Sequence, residues 1–165
     1  MDSFAGMTKP LVYIETTVPN FYYDFRPDPA IIERRTWTRA WWASAADRYK
    51  LLTSEAVVEE LERGTSRFVP LRLQLLRNLP ALPITSEIIE IAGTYIRNKL
   101  MPAGPNGDAY HLALASYYEF DFIVTWNCHH LANPNKRAHI RHINRLLELS
   151  VPEIVTPLEL LRRTR

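Results

Sequence analysis

Cysteine is almost missing: Cys128 stands alone in 165 residues, which excludes an intrachain disulfide and fits a reducing cytoplasm, the expected location. The opening MDSFAGMTKP has no basic stretch followed by an apolar run, and no segment approaches the ~20 apolar residues of a membrane span. The expectation is an unexported protein with no membrane association. An excess of one charge is lacking too. Lys plus Arg number 20 against 18 Asp plus Glu, so the overall balance of +2 does not announce a nucleic-acid binder. The paired-cysteine and spaced-histidine patterns of zinc sites are absent, and consecutive Cys128, His129 and His130 cannot all turn toward one ion. There is no internal repeat, low-complexity tract or domain linker. What remains is a chain 47% hydrophobic, enough for one domain with a substantial core, assigned to 8–161 between terminal tails 1–7 and 162–165.

Short apolar runs alternate with helical patterns. LVYIE (11–15), KLLTS (50–54), ALPIT (81–85), FDFIVT (120–125) and EIVT (153–156) read as strands bounded by turn or capping residues. Between them, Asp28-Pro29 opens a long helix through about Asp47, and Ser54 caps a helix over 55–63 that Gly64 closes. Ile88, Ile89, Ala92, Tyr95 and Ile96 recur at helical steps behind a Ser86 cap. Such alternation predicts a parallel sheet covered on both faces, and these sheets bind ligands beyond the carboxyl ends of their strands.

Four polar residues sit where such ligands would lie: Glu15, Glu60, Asp108 and Asn127. Glu15 ends the first strand run. Glu59 and Glu60 are about 100° apart on one helix, so at most one faces a common centre, and Glu60 is the choice. Asp108 lies in the first turn of an amphipathic helix with Asn106 as its cap, and His111 follows on the same side, placed to touch phosphate or hold a ligating carboxylate. Asn127 follows FDFIVT. Its carboxamide can coordinate a cation or bond water but cannot take a proton, so it reads as a positioner. Each carboxylate alone has a plainer reading, as helix cap, solvated helix former or dipole partner. Together, hard oxygen ligands from several strand ends suit Mg²⁺ or Mn²⁺, and the chemistry they point to is metal-dependent phosphodiester cleavage.

Two further groups stand out. Trp37, Trp41 and Trp42 share the long helix; core packing is the default for them, with an exposed groove or a homodimer face as the alternative. Arg137, Arg141 and Arg145 recur every four residues opposite Ile140, Ile143 and Leu147. That row reads equally as a solvated helix face or as a track for a phosphate backbone.

The ordered motifs VYIETTVPN, TSEAVVEELERG, GDAYHLALA, IVTWNCHHLAN and VPEIVTPLELL resemble the PIN-domain family, particularly toxin ribonucleases of VapC type, over nearly the whole chain. The resemblance implies an α/β/α sandwich with a parallel sheet of about five strands. It also implies metal-dependent cleavage of RNA to a 5′-phosphate and a 3′-hydroxyl. The family's acidic cluster falls on Glu15, Glu60 and Asp108, with Asn127 at the fourth position; Glu15 and Asn127 both stand where the family usually has Asp. Thr16 and Thr125 are placed to bond the carboxylates or the scissile phosphate. A toxin-like protein implies an antitoxin partner that blocks the acidic cleft. The alternatives are an inactive RNA- or protein-binding module, or a DNA nuclease or phosphatase on the same scaffold.

Overall fold

A computed structural model describes residues 8–104 and 107–163. Five parallel strands form one sheet: β1 (Leu11–Ile14), β2 (Lys50–Ser54), β3 (Ala81–Leu82), β4 (Phe122–Val124) and β5 (Glu153–Val155), in the order β3-β2-β1-β4-β5. All five predicted runs are strands; KLLTS keeps its predicted bounds and the other four are trimmed at their ends. The centre is β1, whose Val12, Tyr13 and Ile14 are buried; Leu11 to Tyr13 pair with β2 on one side and Val12 to Ile14 with β4 on the other. Near-continuous apolar sequence is what a strand covered on both faces requires.

The helices α1 (Thr17–Tyr22), α2 (Pro29–Arg48), α3 (Glu55–Glu62), α4 (Val69–Leu76), α5 (Ser86–Arg97), α6 (Asp108–Tyr117), α7 (Arg137–Leu146) and α8 (Pro157–Arg163) complete an α/β/α fold. Local chemistry fixes their starts. Asp28 accepts from the Ala30 N–H ahead of Pro29, and the Ser54 hydroxyl accepts from Val57 N–H. One cap differs from expectation. Thr85, not Ser86, is extended and accepts from Ile88 N–H, leaving Ser86 as the first helical residue. The cap assigned to Asn106 lies outside the described residues.

Helices α5, α6 and α7 each end on a left-handed residue that is not glycine: Lys99, Glu119 and Glu148, with φ of 58°, 57° and 58°. The next N–H closes back onto Tyr95, Ala115 and Asn144 carbonyls respectively, which satisfies helix-end acceptors at some conformational cost. Trp41 is core, whereas half-buried Trp37 stacks on Trp126 and half-buried Trp42 packs on the core edge. Core packing thus holds for Trp41 and, at the core edge, for Trp42. Among the described residues, no helix is long and apolar enough to cross a membrane.

Candidate active site

The sheet order reverses between β1 and β4: β2 and β3 extend one side of β1, and β4 and β5 extend the other. Crevices at such switch points, beyond the carboxyl ends of the strands, are the usual ligand sites of open α/β sheets. Glu15 follows β1 at this place, and Thr125 to Asn127 follow β4.

Glu15 is buried and tightly held. Its Oε1 accepts from Thr17 N–H at 3.0 Å, Thr17 Oγ1 at 2.5 Å and Thr125 Oγ1 at 2.6 Å. Thr17 Oγ1 also accepts from Trp126 N–H, so one hydroxyl ties the turn after β1 to the turn after β4. Glu60, on α3, turns inward while Glu59 is exposed. Its Oε1 lies 2.6 Å from His111 Nε2 and accepts from Thr16 Oγ1 at 3.0 Å. Asp108 opens α6 and is buried. Its Oδ1 accepts from Asn127 Nδ2 at 3.0 Å, and its Oδ2 is a buried oxygen with no partner.

Asn127 is oriented by its other end. Its Oδ1 accepts from the N–H groups of His129 and His130, so the amide nitrogen, not the oxygen, faces Asp108. The oxygen is therefore not offered to a cation. Asn127 bonds the carboxylate of Asp108 and orients it.

His111, fully buried, joins the acidic end to the core. Its Nδ1 is 2.6 Å from Tyr13 Oη, which is 2.7 Å from Ser54 Oγ. Gly107 gives this contact room: a Cβ there would fall 2.6 Å from Glu60 Oε1 and 3.0 Å from His111 Nε2. Burial is the largest influence on His111 and pulls its pKa down. The Glu60 hydrogen bond and the charges of Glu60, Glu15 and Asp108 outweigh it and raise the imidazole above its ordinary value. For Glu60, burial pulls upward most strongly. The His111 bond and charge, the Thr16 hydroxyl and the Gly107 N–H together hold that carboxyl below the ordinary range. These opposite shifts describe one ion pair. Burial also dominates Glu15 and Asp108, and there it prevails, raising both above the ordinary carboxylate range.

Among the described residues, no three His, Cys, Asp or Glu side chains stand together as a ready cage for a metal. Oε1 of Glu15, Oε1 of Glu60 and Oδ1 of Asp108 are all turned to internal donors. The donor set still fits a hard cation, because the carboxylates are oxygen donors and Asp108 keeps an orphaned oxygen.

The predicted residues divide by place. Glu15, Glu60, Asp108, Asn127, Thr16, Thr125 and His111 form one bonded cluster, which sequence reading extended too little: Tyr13, Thr17 and Gly107 belong to it. The TT pair after Glu15 and the glycine before Asp108 were the available signals. Arg137, Arg141 and Arg145 are exposed along α7. Arg137 and Arg141 line a separate hollow with Val151, Pro152 and Ile154, and no residue of the acidic cluster lines it. Cys128 is exposed, and His129 stacks against His130.

The PIN domain family profile matches residues 21–128. The chain belongs to the PIN-domain family, a family of nucleases. It is similar in fold to a chain in the crystal structure of VapBC2 from Rickettsia felis bound to a DNA fragment from their promoter. The TM-score is 0.55 and the identity 14%, over 88% of this chain and 98% of that one. No curated protein matches the sequence.

Proposed function

We propose that this protein is a divalent-metal-dependent endoribonuclease, and that it serves as the toxin of a toxin–antitoxin pair. The observation that carries the nuclease reading is the orphaned Oδ2 of Asp108, a buried carboxylate oxygen beside Glu60 and His111 at the sheet's switch point. A buried acceptor with no donor is costly, by about 1–3 kcal/mol, unless a ligand supplies the missing partner. Glu15, Glu60 and Asp108 would hold Mg²⁺ or Mn²⁺. When bound, that ion supplies charge neutralisation of the phosphate and activation of water.

The chain's own residues do the rest. Thr17 and Thr125 fix the Glu15 carboxylate, and Asn127 aims Asp108. His111 holds Glu60 against Gly107 and, when protonated, supplies positive charge that partly neutralises the cluster before any ion arrives. None of the four hydroxyls of Thr16, Thr17, Thr125 and Tyr13 is needed as a nucleophile. Each is engaged with a carboxylate or with His111, and water is the attacking group. Cleavage would then leave a 5′-phosphate and a 3′-hydroxyl.

The toxin reading is supported by likeness of fold to a chain of the VapBC2 complex. It implies a partner protein that enters the acidic cleft with a cationic side chain, the natural complement of three carboxylates.

The test is cleavage of single-stranded RNA with Mn²⁺ or Mg²⁺, stopped by chelation and lost in Asp108→Asn. Expression of the wild type alone should arrest growth, relieved by the product of the adjacent reading frame. RNA left intact by the wild type in the presence of either ion would refute the nuclease assignment.

A further inference from the structure

A groove of about 660 Å³ begins at Glu60 and runs away from the acidic cluster between the segment after α1 and the segment joining α3 to α4. Two features mark it. Its rim carries Phe25, 50% exposed, against half-buried Phe68, their ring centroids 5.1 Å apart. Its walls carry Arg26, Arg67 and Arg72, opposed by Asp24, which Arg26 already neutralises through paired bonds from Nε and Nη2. The guanidinium of Arg67 lies over the Phe68 ring and that of Arg35 over Phe25.

The groove is built rather than incidental. Three consecutive carbonyls, of Tyr22, Tyr23 and Asp24, each accept from a different arginine: Arg39, Arg72 and Arg35. That clamp holds Phe25 out at the rim, where a large aromatic side chain loses rather than gains hydration free energy. Arg72 is left with a buried Nε–H that has no partner, although its Nη2 bonds Tyr23. Beside it, the exposed guanidiniums of Arg26 and Arg67 present positive charge to the groove, which suits an anion.

Resting on the nuclease reading above, we propose that this groove binds the single-stranded RNA substrate beyond the cleaved bond. Bases stack on the Phe25–Phe68 shelf while Arg26, Arg67 and Arg72 meet the backbone phosphates. Aromatic shelves interleaved with cations are how proteins hold unpaired strands, since every base has a face to stack and every linkage a charge. A duplex offers no free base faces, so the occupant is single-stranded. The arginine row of α7 has no part in it. That row lies on an exposed helix face, and Arg137 and Arg141 open onto a different hollow, beside β5.

Fluorescence anisotropy with a short labelled RNA of mixed, non-pairing sequence tests this, using the full chain in chelator so that nothing is cleaved. The double variant Phe25→Leu, Phe68→Leu keeps apolar bulk and removes the stacking faces, and should weaken binding about tenfold or more. Arg26→Gln with Arg67→Gln should weaken it and flatten its salt dependence. Arg72→Gln should do the same, and Phe25→Leu alone, at an exposed position, serves as the variant in which folding is not at issue. Melting curves check the fold of each. Replacing Arg137, Arg141 and Arg145 together by Gln should leave affinity within about twofold. The proposal is overturned if the α7 triple variant loses binding while the groove variants keep it. It is also overturned if groove variants bind RNA normally but escape inhibition by the adjacent gene product, which would assign the groove to a protein. Wild type that cleaves RNA with Mn²⁺ yet binds none in the anisotropy assay would remove the groove and leave the nuclease. Neither binding nor cleavage would remove both.

Discussion

The two ends of α6 are both buried and both polar, and they are built to opposite rules. At its C-terminal end, Ser116 accepts from Asn144, Asn144 accepts from Tyr95 and donates to the Ser150 carbonyl, and Ser150 donates to the Ser116 carbonyl. These side-chain groups are neutral or held neutral: burial, the largest influence on Tyr95, pushes its hydroxyl up to about 12. At the N-terminal end, Asp108 and His111 meet Glu15 and Glu60, all ionisable, and one carboxylate oxygen has no donor. Buried polarity by itself is therefore no sign of function. Uncompensated, ionisable polarity at the switch point of a sheet is.

Substitution at each end should break the molecule differently. Asp108→Asn removes a direct ligand of the proposed ion, which should cost more than the roughly 10–100-fold typical of residues that merely orient ligands. The same change takes a burial-strained carboxyl out of the fold. The ion-free variant should melt at or above the wild-type temperature and lose the stabilisation that Mn²⁺ gives wild type. Asn144→Ala does the reverse. It strands the Tyr95 and Ser116 hydroxyls and should cost about 2–3 kcal/mol of stability with catalytic constants unchanged at temperatures where it is folded. Denaturant unfolding beside cleavage rates on both variants checks the contrast; loss of activity in folded Asn144→Ala would erase the distinction between the two ends.

The contrast also shows what was legible beforehand. Strands β1, β2, β4 and β5 were readable because fully covered strands are nearly continuous in apolar residues, and the α2 and α3 starts because Asp28-Pro29 and Ser54 are strong capping signals. Thr85 was missed as a cap because Ser86 beside it is of the same chemical type, and only the extended backbone at Thr85 decides between them. The membership of Glu60 and Asp108 in one cluster was legible from their order along the chain. Tyr13 was not, since a tyrosine in an apolar run reads as core, and its bond to His111 spans 98 residues. The arginines told the opposite lesson. A regular row at Arg137, Arg141 and Arg145 was easy to see and is exposed along α7. Arg26, Arg67 and Arg72, scattered in sequence, are brought to one groove by the packing of α1 against α4.

Asn127 sharpens the comparison on a smaller scale, since it is a neutral amide placed at the charged end. Asn127→Ala frees the N–H groups of His129 and His130 and releases Asp108, so cleavage should fall about tenfold, less than in Asp108→Ala, with cation affinity little changed. Asn127→Asp keeps an acceptor for both N–H groups and sets a second negative charge against Asp108. It should tighten Mn²⁺ in a calorimetric titration. If Asn127→Ala is as inactive as Asp108→Ala while binding Mn²⁺ normally, its role exceeds orientation.

The smallest effect is a slope with pH, and it belongs to one end of α6 alone. Burial raises Asp108 and Glu15, so the native state holds their protons more tightly than the unfolded chain, and stability falls as pH rises from the ordinary carboxylate range through the raised values. His111 is raised as well, with burial overcome by Glu60 and its neighbours. Its contribution is complete below the unfolded histidine value and is lost as pH rises through the folded one. Glu60 runs the other way: its carboxyl is depressed, so its contribution is present above the unfolded value and lost as pH falls through the folded one. Below the depressed Glu60 value the ion pair is gone; above the raised His111 value it is gone again. From the ordinary carboxylate range up to the raised His111 value, the ion-free protein should become steadily less stable toward alkaline pH. Mn²⁺ should flatten the trend by stabilising the ionised carboxylates. Melting temperatures across that range, with and without Mn²⁺, measure it. His111→Gln should remove the alkaline part of the slope, whereas Asn144→Ala should lower every melting temperature by a similar amount and leave the slope as it was, because nothing at that end of the helix changes charge in the range.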